Sequence, residues 1–279
     1  ETIGEALKEK SEWHLIAIKS TVPPGTTMNI VKPIIEEKSS KKCCEDFGLC
    51  MNPEFLSEGT AVENFMNPDR IVIGESDKRS GDQLKKLYRE FYGEKCPPIL
   101  RTNPVNAELI KYASNTFLAT KISFINEIAN ICQKIPGADV NIVARGMGLD
   151  KRIGPQFLRA GLGFGGYCLP KDLRALIHHS RKLGYEPKLL EAVEKVNLEQ
   201  PLKAVELAEE LIGSLRGKTI AILGLSFKPG TDDMREAVSI TIINKLLEKG
   251  AKVKAYDPKA IPNAKKIFGG KIEYADNQI

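Results

Sequence analysis

From Asn106 to Lys134 the chain runs without a glycine or a proline. Strands rarely exceed about ten residues, so a stretch of about 29 has to be a helix, roughly 43 Å long. The spacing agrees: Leu118, Ile122, Ile125, Ala129 and Cys132 recur at alternating steps of four and three, a single apolar stripe. Carried backwards, the rhythm lands on Asn115 and Lys111, which are therefore predicted to point into the same buried face. A buried ammonium is expensive unless paired, so Lys111 needs a partner or a task, unless its stem lies along the apolar face and its head escapes to water. A lysine and an asparagine four apart have the geometry to hold one oxygen between them. A helix this long is also a natural core for pairing two subunits.

Strand and helix alternate ahead of it, which argues for an α/β domain. A helix from Glu1 to Lys10 leads to a strand, His14–Ile18, and then to Ser20–Thr27, where Thr26 or Thr27 can cap a helix. Thr21 stands at the carboxyl end of that strand, where open α/β sheets bind ligands; as a lone threonine it equally suits a cap or a turn. After a lysine-rich connection and a short strand, Asn52–Gly59 reads as one short helix, with Asn52 as N-cap, Pro53 at the first position and Gly59 as the stop. Glu54 and Glu58 would share a face of it. Like charges at that spacing do not stabilise a helix, which leaves two roles open: an acid at a helix N-terminus, or a carboxylate pair for water activation and proton transfer. A strand (Asp69–Gly74), a charged amphipathic helix (Ser80–Tyr92) and a strand (Ile99–Leu100) complete this part.

Beyond the long helix come a short helix (Asp139–Gly146), a basic loop holding Lys151, Arg152 and Arg159, and helices reaching Ser214 with breaks near Gly184 and Pro187. Then Lys218–Gly224 reads as a buried parallel strand, followed by a loop to Arg235, a helix (Ile240–Lys249) and a strand (Lys252–Tyr256) ending on Asp257. That is one βαβ unit and the start of a second doubly wound domain. The predicted architecture is α/β: two partial doubly wound, Rossmann-like domains joined by a long central helix and a helical linker domain. The expected divisions are 1–103, 104–214 and 215–279.

The richest chemistry lies in Gly161–Asp172. Four glycines in six residues precede Cys168, with Pro170, Lys171 and Asp172 behind it. Bare backbone at this density calls for close approach by something, and a ligand is the simplest candidate. A cysteine within its reach, beside a cation, has the setting of a nucleophile; a free cysteine that merely fills core space is the competing account. Gly161, Gly163 and Gly166 also satisfy the G-x-G-x-x-G dinucleotide pattern. No β-branched run precedes them and Pro170 follows closely, so the required strand–turn–helix is not expected here.

A net charge of +5, from 41 basic and 36 acidic residues, is too small and too dispersed for a nucleic-acid surface. The six cysteines form no C-x-x-C pair, and adjacent Cys43 and Cys44 have no histidine cluster beside them, so reduced thiols in a cytoplasmic protein are expected and no metal site is. No secretory signal and no apolar run long enough to span a membrane is found.

Five segments, taken together, resemble the UDP-glucose/GDP-mannose dehydrogenase family: Lys19–Gly25, Asn52–Gly59, Glu108–Asn115, Gly163–Asp172 and Gly224–Arg235. They follow the family's order and spacing over nearly the whole chain. The resemblance implies NAD-dependent oxidation of the C6 alcohol of a nucleotide sugar to a carboxylate, in two hydride transfers. It makes Cys168 the nucleophile that traps the aldehyde, Lys111 and Asn115 the stabilisers of the oxyanion, and Asp172 an aid to proton transfer beside the thiol. It assigns Glu54, Glu58 and Thr21 to water and protons, and places Thr21, Glu58, Lys171 and Arg235 near the cofactor. Arg152 matches a substrate contact made across a dimer interface. Phe157, Leu158, Arg159, Phe164, Gly165, Phe227 and Lys228 match contacts to the sugar nucleotide. A homodimer through the central helix and a UDP-sugar substrate are implied. The Glu54–Gly59 wording looks more like the UDP-glucose branch, while Tyr167 stands where a serine is common.

The family opens on a glycine-rich NAD turn, and nothing of that kind precedes Glu1. The sequence therefore reads as an internal fragment, expected to bind NAD poorly by itself because a helix N-terminus for the pyrophosphate is missing. A non-catalytic module that dimerises or binds a nucleotide sugar is the alternative. A cysteine hydrolase is disfavoured, since His14, His178 and His179 all lie outside these segments.

Overall fold

The computed structural model describes residues 1–277. They form two compact units, which divide after Ser114.

The first unit holds α1 (Thr2–Lys8), β1 (His14–Ile18), α2 (Lys32–Ser39), β2 (Phe47–Met51), α3 (Ala61–Met66), β3 (Ile71–Glu75), α4 (Lys78–Tyr92), β4 (Ile99–Thr102) and the first part of α5 (Pro104–Cys132). Its sheet has the order β1-β2-β3-β4, with β1 parallel to β2 and β3 parallel to β4. One pair, β2 with β3, runs antiparallel through a short register of Cys50 on Glu75 and Met51 on Gly74. All of β2 is buried, as a strand covered on both faces must be. Phe47 and Leu49 pack with Leu7 and Ile35 under α1 and α2, whereas Cys50 turns to Ile73 and Leu84 under α4.

The turn after β1 is held from α5. The buried Glu108 carboxylate accepts the N–H groups of Gly25 (2.5 Å) and Thr27 (2.7 Å) and the Thr27 hydroxyl (2.6 Å). A π-helical turn, Thr27–Val31, then feeds α2.

The helix expected over Asn52–Gly59 does not form: the segment has no regular structure as far as Ser57, and α3 starts only at Ala61. Asn52 does not cap. Its N–H continues the β1 ladder by donating to the Ile18 carbonyl (2.8 Å), and its side chain donates to the Val72 carbonyl (2.7 Å) while accepting from Lys19 (2.9 Å) and Tyr88 (2.5 Å). A residue tied to the sheet in this way cannot turn its oxygen to a helix start.

The second unit contains the rest of α5, then α6 (Val140–Gly148), α7 (Cys168–Lys182), α8 (Lys188–Ile212), β5 (Thr219–Leu223), α9 (Val238–Glu248), β6 (Lys252–Tyr256), α10 (Ile261–Phe268) and β7 (Glu273–Tyr274). Its three strands are parallel in the order β5-β6-β7. One core, including Leu225, Ile243, Leu246, Val253, Ala255 and Phe268, lies under α8, α9 and α10. The expectation that β5 is buried fails, since Leu223 is 67 % exposed: β5 and β6 pack helices on one face and show alternate residues outward.

Asp257, at the carboxyl end of β6, ties this unit's loops together. One carboxylate oxygen accepts the N–H groups of Leu225 (2.8 Å) and Ser226 (3.2 Å), the other those of Lys259 (2.8 Å) and Ala260 (2.7 Å). An acid there could bind a ribose; here four of the chain's own amides occupy it. Burial pushes the Asp257 carboxyl up, but the four N–H donors outweigh it and hold it below its ordinary value. A depressed acid contributes stability above its unfolded value, near 3.9, and that contribution is lost as pH falls through the lower folded value. Urea unfolding of Asp257→Asn is expected to show a loss of about 2–4 kcal/mol at neutral pH and a weaker decline below about pH 5 than the parent.

Candidate active site

Cys168 is the first residue of α7, and its side chain is exposed. No strand precedes it between Leu149 and Tyr167, as expected. Pro170, however, does not prevent a helix: it sits in the first turn of α7, where the missing N–H would have no intrahelical partner. A helix start leaves unbonded N–H groups, which favour negative charge beside them.

Two of the glycines before Cys168 are bare where the chain packs against itself. A Cβ on Gly165 would lie 2.3 Å from the Glu236 carbonyl oxygen, and one on Gly166 (φ +76°) 2.6 Å from the Phe227 ring. The loop is pressed against the chain's own β5–α9 connection, and the Gly166 N–H donates to the Arg235 carbonyl (2.9 Å). Only Gly161, with no atom within 4 Å of such a Cβ, has open space.

Asp172 follows Cys168 by four residues, hence on one face of α7, and is 1 % exposed. It accepts from Asn115 Nδ2 at 2.6 Å and forms an ion pair with Lys171. Lys171 also stands 5.4 Å from the centre of the exposed Tyr167 ring, which Arg235 flanks at 5.0 Å. Arg235 is paired with Asp233 at 2.6 Å. Lys171, the cation expected to favour a thiolate, is thus engaged by Asp172 and the Tyr167 ring.

In the first unit, Lys111 is 4 % exposed, so it does not snorkel. The partner its burial demands is Glu54, 3.7 Å from Nζ, and the Phe55 ring lies 5.2 Å away. Glu54 also accepts the Leu56 N–H (2.6 Å). Glu54 and Glu58 share no helix face; Glu58 is exposed in the turn before α3, and Thr21 is half-buried in the irregular segment after β1.

The remaining candidates vary. Phe164 lends its ring to the core with Ala119, Leu173 and Val193, and Leu158 is buried as well. Phe227 is half-buried, with Lys228 Nζ 5.4 Å from its ring. Phe157 (φ +64°) and Arg159 are exposed, and Arg152 reaches solvent while pairing with Asp150 at 2.6 Å. Lys19 was not singled out by its sequence, although burial pushes its ammonium down and it donates to Asn52 and Tyr88. Its signal was its place directly after β1, at the head of the Lys19–Gly25 segment.

Mostly parallel sheets flanked by helices define a Rossmann-like α/β protein. Descriptions of the UDP-glucose/GDP-mannose dehydrogenase family match in three parts: its NAD binding domain over 1–92, its central domain over 105–199 and its UDP binding domain over 221–278. UDP-glucose 6-dehydrogenase AglM of Haloferax volcanii is 47% identical over 277 residues, covering 99% of this chain and 64% of that protein. UDP-glucose 6-dehydrogenase TuaD of Bacillus subtilis is 47% identical over 273 residues, covering 98% and 57%. The solved structure of a UDP-glucose dehydrogenase from the archaeon Pyrobaculum islandicum superposes with a TM-score of 0.92 at 44% identity, covering 98% of this chain and 62% of that one. The chain belongs to the UDP-glucose/GDP-mannose dehydrogenase family. It spans less than two thirds of the length of the curated relatives it matches.

If the glycines serve internal packing, Gly165→Ala and Gly166→Ala are each expected to lose about 1–3 kcal/mol, and Gly161→Ala to stay within about 0.5 kcal/mol. Thermal unfolding of the three variants checks this.

Proposed function

We propose that this chain carries the chemical centre of a cytoplasmic, NAD-dependent dehydrogenase that oxidises the C6 alcohol of UDP-glucose to the acid. The observation that carries the reading is Cys168 at the start of α7, with the buried Asp172 on its face bound to Asn115. A sulfur at a helix N-terminus beside a fixed carboxyl group is suited to adding to a carbonyl and leaving again.

In this reading Cys168 sulfur adds to the C6 aldehyde, forming a C–S bond and an oxygen anion. Lys111 and Asn115, one turn apart on α5, stabilise that oxygen; Asn115 keeps a second N–H beyond the one given to Asp172. Bound NAD would accept the hydride from C6 in each of the two oxidations. The resulting thioester is opened by water, with Glu54, Glu58 and Thr21 handling its protons; the C–S bond breaks, the carboxylate leaves and the thiol returns.

The Lys171–Tyr167–Arg235 cluster, two cations on an exposed ring, fits the charged part of a dinucleotide, although no strand–turn–helix among the described residues carries the three spaced glycines of a pyrophosphate turn. Phe157, Leu158, Arg159, Phe164, Gly165, Phe227 and Lys228 are assigned to the sugar nucleotide, and Arg152 to a substrate in the partner subunit. Residues 1–103, 104–214 and 215–279 take the cofactor, helical and sugar-nucleotide roles.

Pairing through α5 is supported by Phe117, Phe124 and Ile131, which repeat every seven residues and are 63 %, 46 % and 48 % exposed. All six cysteines are free, which suits a reducing compartment, and no helix among the described residues is long and apolar enough to cross a membrane.

Incubation with NAD and UDP-glucose, or with the UDP-sugar 6-aldehyde, is expected to give an intact-mass adduct that maps to Cys168 and vanishes in Cys168→Ser. A folded protein that forms no adduct with the aldehyde would instead support a non-catalytic module.

A further inference from the structure

The loop that delivers Cys168 has no regular structure, yet its backbone is gripped at two points by side-chain amides. The Gly161 N–H donates to Asn126 Oδ1 (2.8 Å), and the Gly161 carbonyl accepts from Gln200 Nε2 (2.9 Å). Three residues on, the Phe164 N–H donates to Asn197 Oδ1 (2.7 Å) and the Phe164 carbonyl accepts from Asn197 Nδ2 (2.9 Å). Asn130 on α5 supports Gln200 by donating to its Oε1 (2.9 Å). A backbone N–H can only donate and a carbonyl only accept, so the loop itself fixes which way Asn126, Asn197 and Gln200 are turned.

Helix α8 is shaped to receive the loop. Pro201 lies inside it and lacks the N–H that the Asn197 carbonyl would otherwise accept, so the ladder is open at the turn from Asn197 to Pro201. Gly163 (φ +103°) rests there; a Cβ would come within 2.9 Å of Asn197 Oδ1 and 3.3 Å of the Asn197 carbonyl oxygen. Asn126 is wholly buried, and its Nδ2, like Asn130 Oδ1, finds no partner among the described residues. Each such group costs about 1–3 kcal/mol.

We propose that Asn197, backed by Asn126 and Gln200, is a positioning clamp: it fixes the loop at Gly161 and Phe164 so that Cys168 is held at the first turn of α7. Only a carboxamide can serve at position 197, because the site needs one donor and one acceptor in a single plane. An aspartate there sets a carboxylate against the Phe164 carbonyl. The nucleophilic role of Cys168 rests on the function proposed above; the clamp itself is a statement about the thiol's placement and is read without cofactor or sugar.

The test compares the rates at which iodoacetamide alkylates Cys168 and the exposed Cys44 in the same molecules, resolved by peptide mass, in the parent, Asn197→Asp and Asn197→Gln. Cys168 is already exposed, so releasing the loop adds little access, whereas it takes the sulfur away from its fixed place among the unbonded N–H groups at the start of α7. The ratio of the Cys168 rate to the Cys44 rate is expected to fall at least about threefold in Asn197→Asp and to stay within about twofold of the parent in Asn197→Gln, which keeps both amide groups. Should Asn197→Asp not fold, Gln200→Glu replaces it with the same expectation. An unchanged ratio in a folded variant that melts lower than the parent would show that the amides serve stability only, and would overturn the clamp while leaving the proposed reaction standing. Loss of the sugar adduct with the ratio behaving as expected would do the reverse.

Discussion

The hydrogen bond from Asn115 to Asp172 is the contact on which the arrangement around Cys168 depends. It is buried, 2.6 Å long, and joins α5 to α7 one turn beyond Cys168. A carboxyl group this enclosed must be satisfied or it destabilises the fold, and Asn115 and Lys171 supply its partners. Because Asp172 shares a helix face with Cys168, fixing one fixes the azimuth of the other. Leu173 and Ile177 press the same helix into the core beside Ala119. The polar bond specifies the orientation of α7, and the apolar contacts hold it there.

The same economy of internal bonding recurs elsewhere in both units. Lys111 finds Glu54, Glu108 holds the turn after β1, Asp257 gathers four amides, and Arg174 bridges Glu194 and Glu236. Glu236 adopts φ +48°, a strained value for a residue with a side chain, and its carbonyl is the surface on which Gly165 rests. The loop before Cys168 is therefore shaped from behind by the β5–α9 connection, the segment that also carries Phe227, Lys228 and Arg235.

Much of this was legible in the sequence because it rests on periodicity. The stripe through Leu118 and Ile125 placed Asn115 and Lys111 on the buried face, and both are buried. The alternation of strand and helix gave the α/β class. What misled was local grammar overruled by tertiary bonds. Asn52-Pro53 has the form of a helix start, but Asn52 spends its polar groups on Ile18, Val72, Lys19 and Tyr88. Pro170 reads as a breaker but stands where a helix tolerates it, and Lys218–Gly224 reads as a buried strand although helices cover one face of it. Glycine density signalled close approach correctly without saying by what; Glu236, Phe227 and Asn197 are separated from the loop by tens of residues, a distance no spacing rule bridges. The roles of Asn126, Asn197 and Gln200 were invisible for the same reason, since amides on helices otherwise read as solvated positions.

The most direct measurement of the central contact is a double-mutant cycle on Asn115→Ala and Asp172→Ala, scored by urea unfolding. A buried bond that fixes α7 is expected to give a coupling free energy of at least about 1.5 kcal/mol, with each single variant destabilised nearly as much as the double. Additive losses, with a coupling below about 0.5 kcal/mol, would contradict the account, because Asp172 would then be held by something other than Asn115.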